Sequence, residues 1–146
     1  MRIMDKLSVR GTTETEAALR AAPEDEYMSP AQVAFFRQRL RAEEEALLSA
    51  VKETAGHLQE SEVSADWSDR ASTEEEHTLE LRVRDRERKL LQKIREALRR
   101  IDDGNYGWCE ETGEPIGIAR LLARPTASLC LEAQERREQS KRRFGG

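Results

Sequence analysis

The stretch "NYGWCEETGEPIGIARLLARPTASLCLEAQERRE", residues 105–138, decides how the rest of the chain is read. It is laid out like a zinc finger, with two cysteine-bearing turns separated by a loop. Cys109, Thr112, Cys130 and Ala133 stand at the four positions of a C-x2-C-x17-C-x2-C frame, within the spacing of zinc ribbons. A structural zinc site takes four ligands, usually thiolate or imidazole. Here a hydroxyl and a methyl group occupy two of the places, and His57 and His77 lie far off in the chain. The stretch therefore reads as a degenerate finger without metal. Its folding energy has to come from Trp108, Ile116, Ile118, Leu121, Leu122, Leu129 and Leu131, each worth ~1.5–3 kcal/mol if fully buried.

Working back toward the N-terminus, Ser29-Pro30 signals a helix start, because serine caps free amide hydrogens and proline tolerates the first helical position. Leu40, Leu47, Val51 and Leu58 then recur at spacings of seven, four and seven, a narrow apolar seam. After a polar break the pattern resumes with Leu79, Val83, Leu90, Ile94, Leu98 and Ile101. Ser72 and Glu75 form a capping-box pattern, and Gly104 ends the helix after Asp103. Two helices of similar length joined by a short polar segment predict an antiparallel coiled-coil hairpin, about 45 Å long for about 30 residues per helix.

The expected class is all-α: a long coiled-coil hairpin attached to a small globular region with a degenerate zinc-finger-like fold and a C-terminal helix. Residues 1–29 read as a partly ordered leader with a short helix near Glu14 to Ala21. Residues 30–103 read as the hairpin, with its tip at 62–71. The finger-like region is 104–134, and 135–146 is a basic C-terminal helix or tail.

Composition agrees. Of the 146 residues 37% are charged and only 5% aromatic, which suits helices with solvated faces better than a packed globule. The formal net charge of −4 argues against wholesale nucleic-acid binding, although the segment from Glu135 to Arg143 leans basic. The apolar runs are too short to span a bilayer and no signal peptide opens the chain, so a cytoplasmic location is expected. In a reducing compartment Cys109 and Cys130 are expected as free thiols, with a disulfide under oxidative stress as the alternative.

The tip reads "ADWSDRA", with Asp66 and Asp69 three apart around Trp67. One reading is an ordinary turn, in which Asp and Ser accept hydrogen bonds from nearby amides. The other is a probe whose acids act inside a partner. Independent catalysis is not assigned to them, because a turn at the end of a thin hairpin has no walls to fix two carboxylates or exclude water. On the second helix Arg82, Arg86, Lys89 and Lys93 follow i, i+4, i+7, i+11 and form a basic stripe, either a solvated face or a phosphate-facing surface.

Taken together, the D-x-x-D-R-A tip (Asp66, Asp69, Arg70, Ala71), the R-x-R-D-R-E-R-K run (Arg82 to Lys89), G-E-P-I-G-I and A-R-P-T closely resemble the TraR/DksA family of bacterial RNA polymerase regulators, from about Tyr27 to the C-terminus. The Cys-Thr-Cys-Ala finger is similar to the zinc-independent members that some bacteria make when zinc is scarce. The resemblance implies a monomer that inserts its coiled coil into the secondary channel of RNA polymerase without contacting DNA. It would repress ribosomal RNA promoters and activate amino-acid biosynthesis promoters together with guanosine tetraphosphate (ppGpp), its co-effector at the polymerase interface. The tip function is carried over to Asp66, Asp69 and Ala71, and the alarmone contacts by position to Leu90, Lys93 and Arg124. Where the family often has a basic residue after the fourth finger position, this chain has Gln134, which implies a weaker or displaced contact, to Arg136 or Arg137. The competing readings are a scaffold or dimerisation coiled coil, a DNA binder using the basic tail, and a Gre-type transcript-cleavage factor; the finger frame favours the DksA side over the last.

Overall fold

The computed structural model describes residues 15–64 and 70–144, with the side chains of 15, 54, 55, 57–64, 70–73 and 144 left aside. Among the described residues five α-helices follow one another: α1 (Thr15–Ala21), α2 (Pro30–Ser64), α3 (Arg70–Asp103), α4 (Ile118–Ala123) and α5 (Leu131–Phe144), with a 3-10 turn at Glu24–Glu26. No strand occurs among the described residues; an isolated antiparallel bridge pairs Trp108 with Pro115. The chain divides into two units, residues 1–40 with 96–146, and residues 41–95.

Helix α2 starts at the proline for reasons visible in its first turn. The Ser29 hydroxyl accepts from the Gln32 amide at 3.3 Å. The Gln32 side chain reaches back to accept from the Met28 amide at 2.8 Å. Ser29 and Gln32 thus satisfy donors that an open helix end leaves unpaired, a capping box displaced by one residue. Met28 sits just before it in the left-handed region, at φ 56. Helix α3 begins at Arg70, two residues before the serine that the sequence pattern marks, so Ser72 lies inside the first turn instead of capping it. Its end at Asp103 is followed by Gly104 at φ 78, a conformation that costs glycine little.

In the unit 41–95, the Arg95 Nε donates to Glu44 Oε2 at 3.3 Å across the two helices. The seam on α3 differs from the sequence reading in its N-terminal half. Leu79, Val83 and Leu90 are exposed, at 61%, 44% and 45%. Half-buried and buried positions at heptad spacing are His77, Glu80, Glu87, Leu91, Ile94, Leu98 and Ile101, with Asp85, Ala97 and Arg100 beside them. The reason is geometric. A supercoiled helix makes 3.5 residues per turn, so each step of four not balanced by a step of three turns a residue by about 50° from the seam. Leu90 is one such step from Ile94, and Leu79 is two. Apolar character drew the stripe; the heptad draws the seam, and it passes through polar residues.

The other unit has a core of its own. Phe36 and Leu40 from α2, Ala97 and Ile101 from α3, and Tyr106, Ile116, Leu121, Leu122, Leu129 and Ala133 are all buried. Phe36 packs on Tyr106 with ring centroids 5.6 Å apart. The Tyr106 hydroxyl, in turn, donates to the Pro125 carbonyl at 2.7 Å. Trp108 and Leu131, two of the apolar residues expected to fill the finger, are instead 39% and 56% exposed.

Candidate functional site

Two surfaces carry the chemistry that the sequence singles out, one in each unit. In the finger-like region, the Gly113 amide donates to the Cys109 carbonyl at 2.9 Å and the Cys109 amide to the Glu114 carbonyl at 2.8 Å, closing a tight turn around the first pair of positions. Gly113, at φ 75, supplies the left-handed step. The second pair opens a helix: the Gln134 amide donates to the Cys130 carbonyl at 3.0 Å, and α5 starts at Leu131, four residues earlier than the expected C-terminal element at 135. A bond from the Glu110 amide to the Ser128 carbonyl at 2.9 Å ties the two parts together.

This brings Cys109, Thr112 and Cys130 into one place. Thr112 Oγ1 lies 3.9 Å from Cys130 Sγ. The Thr112 hydroxyl and the backbone amides of Cys130, Thr112 and Glu111 hydrogen-bond to the Cys109 sulfur. Burial pushes the Cys109 thiol up, but these donors outweigh it and bring it from 9.0 down to about 6. Ala133 is fully buried at the remaining corner. The 3.9 Å edge is close to the ~3.8 Å edge of a tetrahedron with 2.3 Å zinc–sulfur bonds, so the shape of a finger persists.

The donors do not. Two thiols, a neutral hydroxyl and a methyl cannot supply a four-ligand zinc site, and no group of three or more His, Cys, Asp or Glu among the described residues converges to hold a metal. The nearby carboxylates are engaged: Glu111 accepts from Arg137 Nε at 2.6 Å, and Glu110 lies 3.7 Å from Arg100. Zinc does not fit here.

What replaces it includes a residue that the sequence reading left in the leader. The Tyr27 hydroxyl donates to the Gly107 carbonyl at 2.5 Å and accepts from the Gly117 amide at 2.9 Å. Its ring meets Trp108 edge-on, centroids 5.3 Å apart. Burial raises the Tyr27 hydroxyl above its ordinary value, against the lowering effect of the backbone bonds to Gly117 and Ile116. Gly107, at φ 90, leaves no room for a side chain, since a Cβ there would stand 2.5 Å from the Met28 sulfur. Tyr27 and Gly107 are 80 residues apart, and nothing local in the sequence announces their pairing.

The second surface belongs to α3 in the unit 41–95. Leu79, Val83, Arg86, Leu90 and Lys93 are spaced four, three, four and three and are all exposed. Apolar and basic residues therefore alternate along one solvent-facing stripe, with Arg82 and Lys89 beside it. Asp85 bridges neighbouring cations, 2.6 Å from Arg88 and 3.2 Å from Lys89. Its carboxyl is held below the ordinary value, first by the Arg88 hydrogen bond and then by Lys89. Arg124, the other residue matched to an alarmone contact, closes α4 in the first unit and is exposed. Gln134 bonds to Glu138 at 3.2 Å, while Arg137 is taken by Glu111. The tip residues Asp66 and Asp69 lie outside the described residues, and Arg70 and Ala71 are described only as backbone at the start of α3.

Two family models match the chain. Residues 32–101 match the family model described as DnaK suppressor protein DksA, N-terminal domain. Residues 104–139 match the prokaryotic dksA/traR C4-type zinc finger. The RNA polymerase-binding transcription factor DksA of Caulobacter vibrioides is 54% identical over 124 residues, 84% of this chain and 87% of that protein. The protein of the same name from Escherichia coli K12 is 45% identical over 125 residues, 85% and 83% of the two chains. The solved structure of transcription factor DksA2 from Pseudomonas aeruginosa superposes with a TM-score of 0.82 at 48% identity, covering 88% of this chain and 99% of that one.

Proposed function

The chain belongs to the DksA/TraR family, and from that membership we propose that it binds RNA polymerase and regulates transcription initiation, entering the secondary channel with the tip of its helical hairpin and needing no zinc to do so. The observation that carries the reading is the exposed stripe of Leu79, Val83, Arg86, Leu90 and Lys93. Three apolar side chains left in water beside a row of cations suit an apolar surface rimmed by acids, and a seam buried inside the hairpin has no use for them.

In this reading the tip carries Asp66, Asp69, Arg70 and Ala71 to the enzyme's active centre, and the acids act by their charge on the polymerase. The protein performs no chemistry of its own. Arg82, Arg86, Leu90 and Lys93 contact the polymerase or ppGpp, and Arg124 is a further candidate for the alarmone. The regulator acts as a cytoplasmic monomer without direct DNA contacts, repressing ribosomal RNA promoters and activating those for amino-acid biosynthesis. No helix among the described residues is long and apolar enough to cross a membrane.

The test is run-off transcription from a ribosomal RNA promoter with purified polymerase, with and without ppGpp, in the presence of chelator. Wild type is expected to inhibit, more strongly with ppGpp. Asp69→Asn is expected to bind polymerase normally and to inhibit by less than a tenth as much, roughly the effect of losing one charge-assisted contact. Inhibition that disappears with chelator contradicts a zinc-free regulator. Equal inhibition by both proteins removes the tip from the mechanism and leaves the stripe as the working surface.

A further inference from the structure

A finger that has lost two ligands does not thereby lose its affinity for every metal. The two sulfurs that remain are held by opposite halves of the motif, the turn at 109–113 and the start of α5, and both meet the same hydroxyl. Thr112 is hydrogen-bonded to the Cys109 sulfur and stands 3.9 Å from that of Cys130. Cys109 is 3% and Cys130 9% exposed, so water competes poorly for a bound ion. Beside the sulfurs stand the Thr112 hydroxyl and two carboxylates, Glu111 bonded to Arg137 at 2.6 Å and Glu110 in an ion pair with Arg100 at 3.7 Å.

We infer that Cys109 and Cys130 form a two-thiolate site for a soft monovalent cation, Cu(I), in place of the zinc that a complete finger takes. The donor count decides the metal. Zinc needs four ligands and is left at least two short, whereas Cu(I) is satisfied by two thiolates in a near-linear arrangement. Both sulfurs bind as thiolates, and any proton still on either is released as the copper–sulfur bond forms, with no change of oxidation state. The resulting dithiolate complex carries one net negative charge. The amides of Glu111, Thr112 and Cys130 and the Thr112 hydroxyl hydrogen-bond to the Cys109 sulfur, and they stabilise that charge. Ala133, at the fourth frame position, is fully buried and offers no donor.

The inference does not depend on what the protein does to transcription. It is tested by titrating the reduced full-length chain with Cu(I) under oxygen-free conditions against bathocuproine disulfonate, with a parallel zinc titration against a colorimetric zinc indicator. One Cu(I) per chain is expected to pass from the indicator to the protein, while zinc stays with its own. Cys109→Ser and Cys130→Ser are each expected to weaken copper binding by more than about 100-fold, and Thr112→Val, which removes one hydrogen bond to the Cys109 sulfur, by about tenfold. Far-UV circular dichroism checks that the serine variants keep their helices. Should one of them unfold, protection of both cysteines of the wild type from iodoacetamide by Cu(I), read by mass spectrometry, takes its place. Copper remaining with the indicator overturns the inference, as does a single-cysteine variant that binds like wild type, copper bound only between two chains, or stoichiometric zinc.

Discussion

The finger-like region and the hairpin have departed from their ideals in opposite ways. In the finger the departure is chemical: two ligands are gone, yet the corners they occupied are filled by a threonine and a fully buried alanine. Packing was kept while the metal was dispensed with. In the hairpin the departure is in packing. His77, Glu80 and Glu87 lie on the inner line of α3 while Leu79, Val83 and Leu90 face solvent. Burial there has been sacrificed to surface. The difference teaches that apolar residues serve cohesion in the finger and are left in solvent along α3, where the proposed function gives them recognition.

The strongest way to break the comparison is to remove a leucine from the finger. Leu121 is fully buried, so Leu121→Ala is expected to cost about 2–5 kcal/mol in urea denaturation, the usual range for a leucine-sized cavity. A cost below about 1 kcal/mol would mean that something other than packing holds the finger, and the contrast with the hairpin would collapse.

Next in size is a pH dependence that belongs to the finger alone. The Cys109 thiol, at about 6 in the folded protein against an ordinary 9.0, is a group whose folded value is depressed. Between those two values the unfolded chain binds the extra proton, so stability rises with pH; it is fully present above the higher value and is lost as pH falls through the lower one. The slope is at most ~1.4 kcal/mol per pH unit. Urea midpoints of wild type and Cys109→Ala measured from pH 5.5 to 9 should diverge as pH rises, and parallel curves would remove the thiolate from the account.

Much of this contrast could be read from the sequence, and the parts that could not share a cause. The helix start at Pro30 follows from Ser29, and Gln32 completes an S-x-x-Q capping signal that was there to be used. The four frame positions declared the degenerate finger, and Cys109, Thr112 and Cys130 lie within reach of one another. Tyr27 was not legible as part of it, because its partners Gly107 and Gly117 lie 80 and 90 residues away. The seam was misplaced for a related reason. Leu79, Val83 and Leu90 attract attention as apolar residues, but only the partner helix decides which stripe is inner. Glu87, 9% exposed, belongs to that inner stripe.

That placement yields a smaller prediction. A carboxylate taken out of water on a helix seam is paid for in stability, and an apolar residue of similar size often does better there. Glu87→Leu is expected to raise the stability of the protein by about 1 kcal/mol, seen as a higher urea midpoint with an unchanged slope. A loss of stability would show that Glu87 fixes the pairing of α2 with α3, and that the polar seam is a matter of register more than of surface.

The smallest effect on stability carries the sharpest form of the comparison. Leu90 and Leu121 are the same residue in helices of the same chain, 45% and 0% exposed. Leu90→Ala removes a side chain already about half in water, so it should change stability by only about 0.5 kcal/mol, close to the range of ordinary surface substitutions. If the exposed stripe is a recognition surface, the same variant should still lose polymerase affinity by about tenfold, because an apolar contact formed only in the complex is worth roughly 1–2 kcal/mol there. Leu121→Ala should do the reverse, unfolding more readily while its folded fraction binds normally. A Leu90 variant that loses stability instead of affinity would place that leucine in the hairpin's own packing, and the division between cohesive and recognising leucines would then have to be drawn elsewhere on α3.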